Sequence, residues 1–181
     1  MYQYKDVKIR RFTFDDIPLK IEWINNPENN EFLHYDLPLE YDKTVKWLKK
    51  NENSKTRFDA VIEYNGNPVG LAGLLNIDTK NLKAEDYITI GETAFKQKGI
   101  ATKAGVLIAL YGFEILKLHK LYAYIEVGNP SLKLYLKKGF HVEGFLRNDL
   151  CMNGRFVDRY VLGLSKEDLR MAGEPYWEKE Q

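Results

Sequence analysis

A mixed α/β domain is what the sequence predicts, and three observations carry it. Short runs of alternating apolar and polar residues, as at 58–64 and 86–91, have the period of β-strands. The stretch from Gly99 to Leu116 instead repeats Val106, Leu110, Phe113 and Leu116 at helical spacing, a face suited to lie on a sheet. Finally, 181 residues that are 44% hydrophobic and 29% charged suffice for one buried core under a solvated surface, with little room for a second.

The elements follow in chain order. Val7, Ile9 and the residues to Phe12 read as an opening strand, and Thr13 with Asp16 three residues on is placed as a helix N-cap. That helix runs to about Asn25, where Asn25-Asn26-Pro27 breaks it; Glu31 to Asp36 is then aromatic, polar and irregular before a helix carrying Val45, Trp47 and Leu48. Phe58–Tyr64 and Val69–Ile77 flank Asn65-Gly66 as a hairpin, and a further strand covers about Asp86 to Gly91 and ends at Glu92. After the long helix, Leu121–Val127 is a strand. Asn129 caps a short helix with Pro130 at its first position, and Gly139 stands where a left-handed residue ends it. Strands around Phe140–Met152 and Arg155–Leu164 flank Asn153-Gly154, a second hairpin signal. Residues 1–170 are expected to form the single domain and 171–181 a charged C-terminal tail, whose Tyr176 and Trp177 are placed to dock on the domain or on a second copy, as in a homodimer.

Composition excludes several function classes. Lys+Arg total 27 against 26 Asp+Glu, so no global field draws nucleic acid or an anionic membrane, and any bound anion must be caught locally. The lone Cys151 cannot form an internal disulfide or a thiolate cluster and is expected to be a small buried hydrophobe; His34, His119 and His141 lack metal-ligand spacing, so no metal is expected. The N-terminus is charged where a signal peptide needs an apolar run, and no stretch approaches the roughly 20 apolar residues of a membrane span, so a cytoplasmic location is expected.

Two stretches carry chemistry. Phe95 to Lys103 passes from a strand through a small-residue loop into a helix, a geometry that points successive backbone N–H groups at phosphate oxygens with the positive helix end behind them. Lys96, Lys98 and Lys103 add positive charge, although one glycine before a helix is also ordinary turn chemistry. Asn129 to Phe140 follows the next strand, and its helix presents Tyr135 as either a catalytic or a core tyrosine.

Together the two stretches resemble the paired motifs of the GNAT superfamily of acyl-CoA-dependent N-acetyltransferases. Lys96-Gln97-Lys98-Gly99-Ile100-Ala101 is similar to the family's Arg/Gln-x-x-Gly-x-Gly/Ala pyrophosphate loop, with Lys96 replacing the usual Arg or Gln. Asn129, Ser131, Tyr135, Lys137, Gly139 and Phe140 stand where the second family motif has its own. The resemblance implies a GNAT fold: a mixed, mostly antiparallel central sheet of about seven strands with flanking helices, splayed at the acetyl-CoA site. It further implies acetyl-CoA as cosubstrate, held by Ile88, Ile90, Lys96, Gln97, Lys98, Gly99, Ile100, Ala101, Thr102, Lys103, Asn129 and Lys137. Within the superfamily the chain resembles the Rim-type, ribosomal-protein-acetylating branch and the spermidine-acetylating one through Leu33-His34-Tyr35-Asp36, Ala101-Thr102-Lys103-Ala104 and Tyr111-Gly112-Phe113. It is similar more loosely to amino-sugar-nucleotide acetyltransferases through Glu22 to Pro27.

Acetyl transfer to an amine needs a neutral amine, a stabilised thioester oxygen and a departing sulfur. A phenol, with a reference pKa of about 10, can protonate a leaving thiolate of about 8.5 when placement assists, which makes Tyr135 the expected acid. Glu92, Glu126 or a water wire is the expected base, and Trp23, His34, Tyr35 and Asp36 are expected at the acceptor. The expected acceptor is a small-molecule or peptide amine. An amino-sugar nucleotide stands first, a ribosomal N-terminus is the alternative, and a polyamine ranks last because Val69–Ile77 offers no carboxylates. A non-catalytic acyl-CoA sensor is the competing class.

Overall fold

In a computed structural model, which describes residues 2–170 apart from Asn153, eight strands form one sheet. The strands are β1 (Tyr2–Tyr4), β2 (Val7–Arg11), β3 (Phe58–Tyr64), β4 (Asn67–Asp78), β5 (Lys83–Ile90), β6 (Lys120–Glu126), β7 (His141–Met152) and β8 (Arg155–Leu164), in the order β1-β2-β3-β4-β5-β6-β8-β7. All neighbours are antiparallel except β5 and β6, which run parallel. The tail expected at 171–181 lies outside the described residues.

The helices are α1 (Ile17–Asn25), α2 (Pro27–Asn30), α3 (Tyr41–Asn51), α4 (Ile100–Leu110) and α5 (Ser131–Lys138). Period-2 alternation sends the strand side chains to two apolar layers. Ala60, Ile62, Ala72 and Leu74 face a core with Val106, Leu107 and Ile108 of α4 and Tyr135 of α5. Val61 and Leu71 face the other way, onto Ile17, Trp23 and Ile24 of α1 and Leu48 of α3. The entry to α1 is fixed by the expected residues: Thr13 and Asp16 form a capping box, and Arg10 grips the Asp16 carboxylate with two bonds of 2.8 and 2.7 Å.

Three features depart from the sequence reading. The helix that starts at Gly99 gives way to a wider π turn at Tyr111–Ile115 instead of running straight to Leu116. β1 is an eighth strand, too short for its alternation to register. Cys151 is exposed, because it lies near the tip of the β7–β8 hairpin, where long strands extend beyond the layered core.

Candidate active site

β5 and β6 are ladder partners only at Lys83–Lys120, Ala84–Leu121 and Glu85–Tyr122. From Asp86 onward β5 keeps only β4, while β6 continues to Glu126 beside β8. The sheet therefore parts between its two halves, and the edge of β5 that carries Ile88 and Ile90 is left open, as expected for the splayed strand.

Beyond the open end of β5 the chain turns into α4. Gln97 and Gly99 adopt φ of 63° and 74°, a left-handed conformation that glycine takes without penalty. Lys103 donates the first backbone hydrogen bond of the helix, to Gly99. The amides of Ile100, Ala101 and Thr102 thus have no intrahelical acceptor and face outward at the positive end of the dipole. They border a cleft of about 260 Å³ lined also by Ile90, Phe95, Gln97, Gly99, Lys133, Leu134 and Lys137. A polyanion such as the pyrophosphate of CoA fits this donor set.

The three loop lysines do not converge on that cleft. Helical rotation turns Lys103 away from the first-turn amides, and its ammonium is paired with Asp6 in the β1–β2 turn. Lys96 Nζ donates to the Glu28 carbonyl at 3.0 Å, and Lys98 Nζ lies 4.8 Å from the Phe95 ring centroid. Lys133 and Lys137 border the cleft instead; Lys133 is not among the expected residues, although its spacing of four from Lys137 marks one helix face.

Tyr135 is buried edge-on against Phe140, and its hydroxyl donates to the Asp86 carbonyl at 3.2 Å, at the residue where β5 leaves β6. Burial, reinforced by the Asp86, Glu85 and Glu126 carboxylates, pushes this phenol well above its ordinary pKa. It keeps its proton until a strong base forms beside it.

At the end of β6, Glu126 is 4% exposed. Asn129 Nδ2 donates to its Oε2 at 2.9 Å, and His34 Nε2 stands 2.8 Å from its Oε1. The imidazole is out of line for a hydrogen bond, so Oε1 remains a buried acceptor with no aligned donor among the described residues. Burial raises the Glu126 carboxyl, but His34 and Asn129 outweigh it and hold the group below its ordinary pKa. Asn129 Oδ1 also accepts from the Ser131 amide at 2.9 Å, so this one side chain ties Glu126 to the start of α5, and it is not among the residues that line the cofactor cleft. A second cleft, of about 530 Å³, opens beside Glu126 and is lined by Glu31, Phe32, Val127, Met152, Arg155 and Val157.

Of the expected acceptor residues, His34 alone is brought against Glu126. Trp23 is 3% exposed in the second core layer, and its indole donates to Glu92 Oε1 at 2.8 Å. Tyr35 turns inward to the same layer, with Lys20 Nζ 5.6 Å from its ring centroid, and Asp36 is exposed. Successive residues of an extended loop point to opposite sides, so His34 and Tyr35 cannot both face one cleft.

A largely antiparallel sheet parted at its one parallel pair, with a helix N-terminus open at the parting, is the architecture of an N-acetyltransferase of the GNAT class. Residues 6–141 match the acetyltransferase (GNAT) domain family, and the chain belongs to it. The chain is 36% identical over 117 residues to the spermidine N(1)-acetyltransferase of Escherichia coli (strain K12), a match that covers 64% of this chain and only 59% of that protein's length. YdaF of Bacillus subtilis (strain 168), provisionally designated a ribosomal N-acetyltransferase, is 33% identical over 111 residues, 61% of this chain and 60% of that one. The crystal structure of spermidine N-acetyltransferase from Vibrio cholerae in complex with CoA and spermine superposes with a TM-score of 0.84 at 26% identity, covering 91% of this chain and 98% of that one. Relatives thus stand on both the spermidine and the ribosomal sides, and the family match is broader than the Rim-type branch.

Proposed function

We propose that the protein transfers acetyl from acetyl-CoA directly to a primary amine, with a polyamine such as spermidine as acceptor, through one catalytic domain over residues 1–170. One observation carries this reading. The cleft beyond β5 is rich in backbone donors, whereas in the cleft at the end of β6 the carboxylates of Glu31 and Glu126 outnumber the one guanidinium of Arg155. The first suits a polyanionic cofactor and the second a polycation. The spermidine-acetylating relatives add support.

The polyamine therefore rises above the amino-sugar nucleotide that the sequence alone favours. β4 does lack carboxylates at its centre, as expected, but the cleft draws Glu31 from the loop after α2 and Glu126 from the end of β6, positions far apart in the chain.

Acetyl-CoA, when bound, supplies the thioester. The amides of residues 100–102 with Lys133 and Lys137 hold its phosphates. Glu126, ionised and short of one donor, receives the acceptor's ammonium. His34, whose imidazole stands 2.8 Å from Glu126, accepts the proton the amine must lose. The amine nitrogen then bonds to the acetyl carbon, the carbon–sulfur bond breaks, the sulfur takes the Tyr135 proton, and the nitrogen gives up its second proton to solvent, from which the phenolate is reprotonated. Glu92 Oε1 accepts the Trp23 indole, and we assign Glu92 a supporting rather than a base role.

The test is thiol release from acetyl-CoA with spermidine, a ribosomal N-terminal peptide and a 4-amino-sugar nucleotide. Spermidine is expected to give the highest kcat/KM. A higher value for either competitor overturns the acceptor assignment, and tight CoA binding without release by any amine favours the sensor.

A further inference from the structure

Lys138 ends α5, a position where a lysine ordinarily reaches water, yet its side chain and that of Asp86 are both 0% exposed. Lys138 Nζ stands 3.2 and 3.1 Å from the two Asp86 carboxylate oxygens. Asp86 is also the residue whose carbonyl accepts the Tyr135 hydroxyl, immediately past the last β5–β6 pair. The same ammonium lies 4.4 Å from the Tyr135 ring centroid and 4.9 Å from that of Phe140. α4 leaves room for it: a Cβ on Gly105 would fall 2.6 Å from Lys138 Cδ and 2.7 Å from Nζ.

Packing does not explain this pair. Removing both charges from water is unfavourable, and two apolar side chains of similar volume would fill the space without that penalty. Burial pushes the Lys138 ammonium down in pKa and Asp86 opposes that fall, so the carboxylate is what limits the cost of the buried charge. What the pair does occupy is the point from which the phenol is aimed.

We infer that Lys138 is a positioning residue for Tyr135: through Asp86 it fixes the turn-out of β5 whose carbonyl orients the phenol O–H, and its ammonium offsets the carboxylate beside that phenol. The inference rests on the proposed role of Tyr135 as the acid. Without Lys138 an uncompensated carboxylate lies against the phenol, which loses its aim while its ring stays packed.

The experiment compares Lys138→Met, Tyr135→Phe, the two combined, and Asp86→Leu/Lys138→Met, an apolar pair that keeps the site filled. With spermidine as acceptor, Lys138→Met is expected to lower kcat about tenfold or more while KM for acetyl-CoA stays within about twofold. Combined with Tyr135→Phe it should cause no further loss, because it acts through the phenol. The apolar pair should match the parent in melting temperature but not in kcat. The tyrosine ¹³Cζ resonance that disappears in Tyr135→Phe should shift in Lys138→Met and in the apolar pair, whichever amine the enzyme uses. Parent kcat in Lys138→Met, losses that add in full, restored kcat in the apolar pair, or an unmoved resonance each overturn the inference. Tyr135→Phe at the parent rate overturns the acid assignment instead, and the resonance still decides whether Lys138 orients the phenol.

Discussion

Glu126→Gln separates charge from shape at the carboxylate end of the cleft. The amide keeps the length of the side chain and one carbonyl oxygen, so the 2.9 Å bond from Asn129 retains an acceptor and only its charge assistance is lost. That loss is about 1 kcal/mol of stability, or about 2–4 °C in Tm for a domain of this size. The kinetic effect is larger. Two unit charges 4 Å apart at an effective dielectric of 20 attract by about 4 kcal/mol. The His34 side chain is 39% exposed, so solvent screens the cleft, and we discount the attraction for an acceptor ammonium to about 1.5–3 kcal/mol. At about 1.4 kcal/mol per decade this predicts a ten- to hundredfold fall in kcat/KM for spermidine. Glu92→Gln is the control: its carbonyl still accepts the Trp23 indole at 2.8 Å, so it should lie within about twofold of the parent by the same criterion of lost transition-state stabilisation. The assay is the initial rate of thiol release against spermidine concentration at saturating acetyl-CoA, with a thermal melt of each variant. Glu126→Gln at the parent kcat/KM, or a larger loss in Glu92→Gln, refutes the assignment of Glu126.

Three further outcomes are expected. Tyr135→Phe removes one hydroxyl and its 3.2 Å bond to Asp86 but keeps the ring against Phe140, so Tm should fall by only a few degrees while kcat falls about a hundredfold in the same thiol assay. Gly99→Ala meets no atom within 4 Å, yet places a Cβ at φ 74°; it should destabilise by about 1 kcal/mol in a denaturant titration and weaken CoA binding by calorimetry as the loop relaxes. For Asp16, burial raises the carboxyl but the bonds from Arg10 and Thr13 outweigh it, so its folded pKa lies below the unfolded value. The resulting stability is complete above the ordinary carboxylate range near 4 and is lost as pH falls through that range and below it. Asp16→Asn should accordingly lower Tm at neutral pH and narrow the Tm difference between about pH 7 and about pH 3.

Local chemistry is what a sequence states most plainly, and the elements that depend on it stand where expected. Asn65 and Gly66 adopt φ of 49° and 79° between paired strands, the left-handed pair a tight hairpin needs. Gly139 closes α5 at φ 106°, Thr13 and Asp16 cap the entry to α1, and the parting of the sheet is what the family resemblance of the Gly99 and Tyr135 stretches implies. Contacts made by topology are less legible. His34 meets Glu126 because the loop after α2 crosses the end of β6, and nothing in either local sequence states that crossing. Lys103 looks like part of a phosphate cluster by residue count, but its direction follows the rotation of α4 toward Asp6. Lys137 and Lys138 are adjacent and chemically identical, and in sequence either one can face the nucleotide or be a solvated helix charge, with Lys137 the one assigned to the cofactor. A rotation of about 100° along the helix leaves one at the cofactor cleft and buries the other against Asp86.

A net charge of +1 conceals a sorting of charge across the parting of the sheet. On the proposed reading the reaction joins a polyanion to a polycation, and a site with both sets of groups mixed would hold each substrate against the wrong one. Here the backbone donors, Lys133 and Lys137 border the cleft beyond β5, while at the cleft beyond β6 Glu31 and Glu126 outnumber Arg155. Tyr135 bonds β5 where the sheet parts, and its hydroxyl is neutral because burial and nearby carboxylates keep its proton in place. The groups that meet there, a thioester and a deprotonated amine, are themselves uncharged, so each substrate is selected by its charged part at one end and reacts through its neutral part in the middle. Inverting the sign at one end tests this division: Lys133→Glu with Lys137→Glu should raise KM for acetyl-CoA by roughly tenfold or more, from about 1.4 kcal/mol of lost attraction, and leave KM for spermidine within about twofold. Equal rises in both constants would mean that the two clefts are not independent sites.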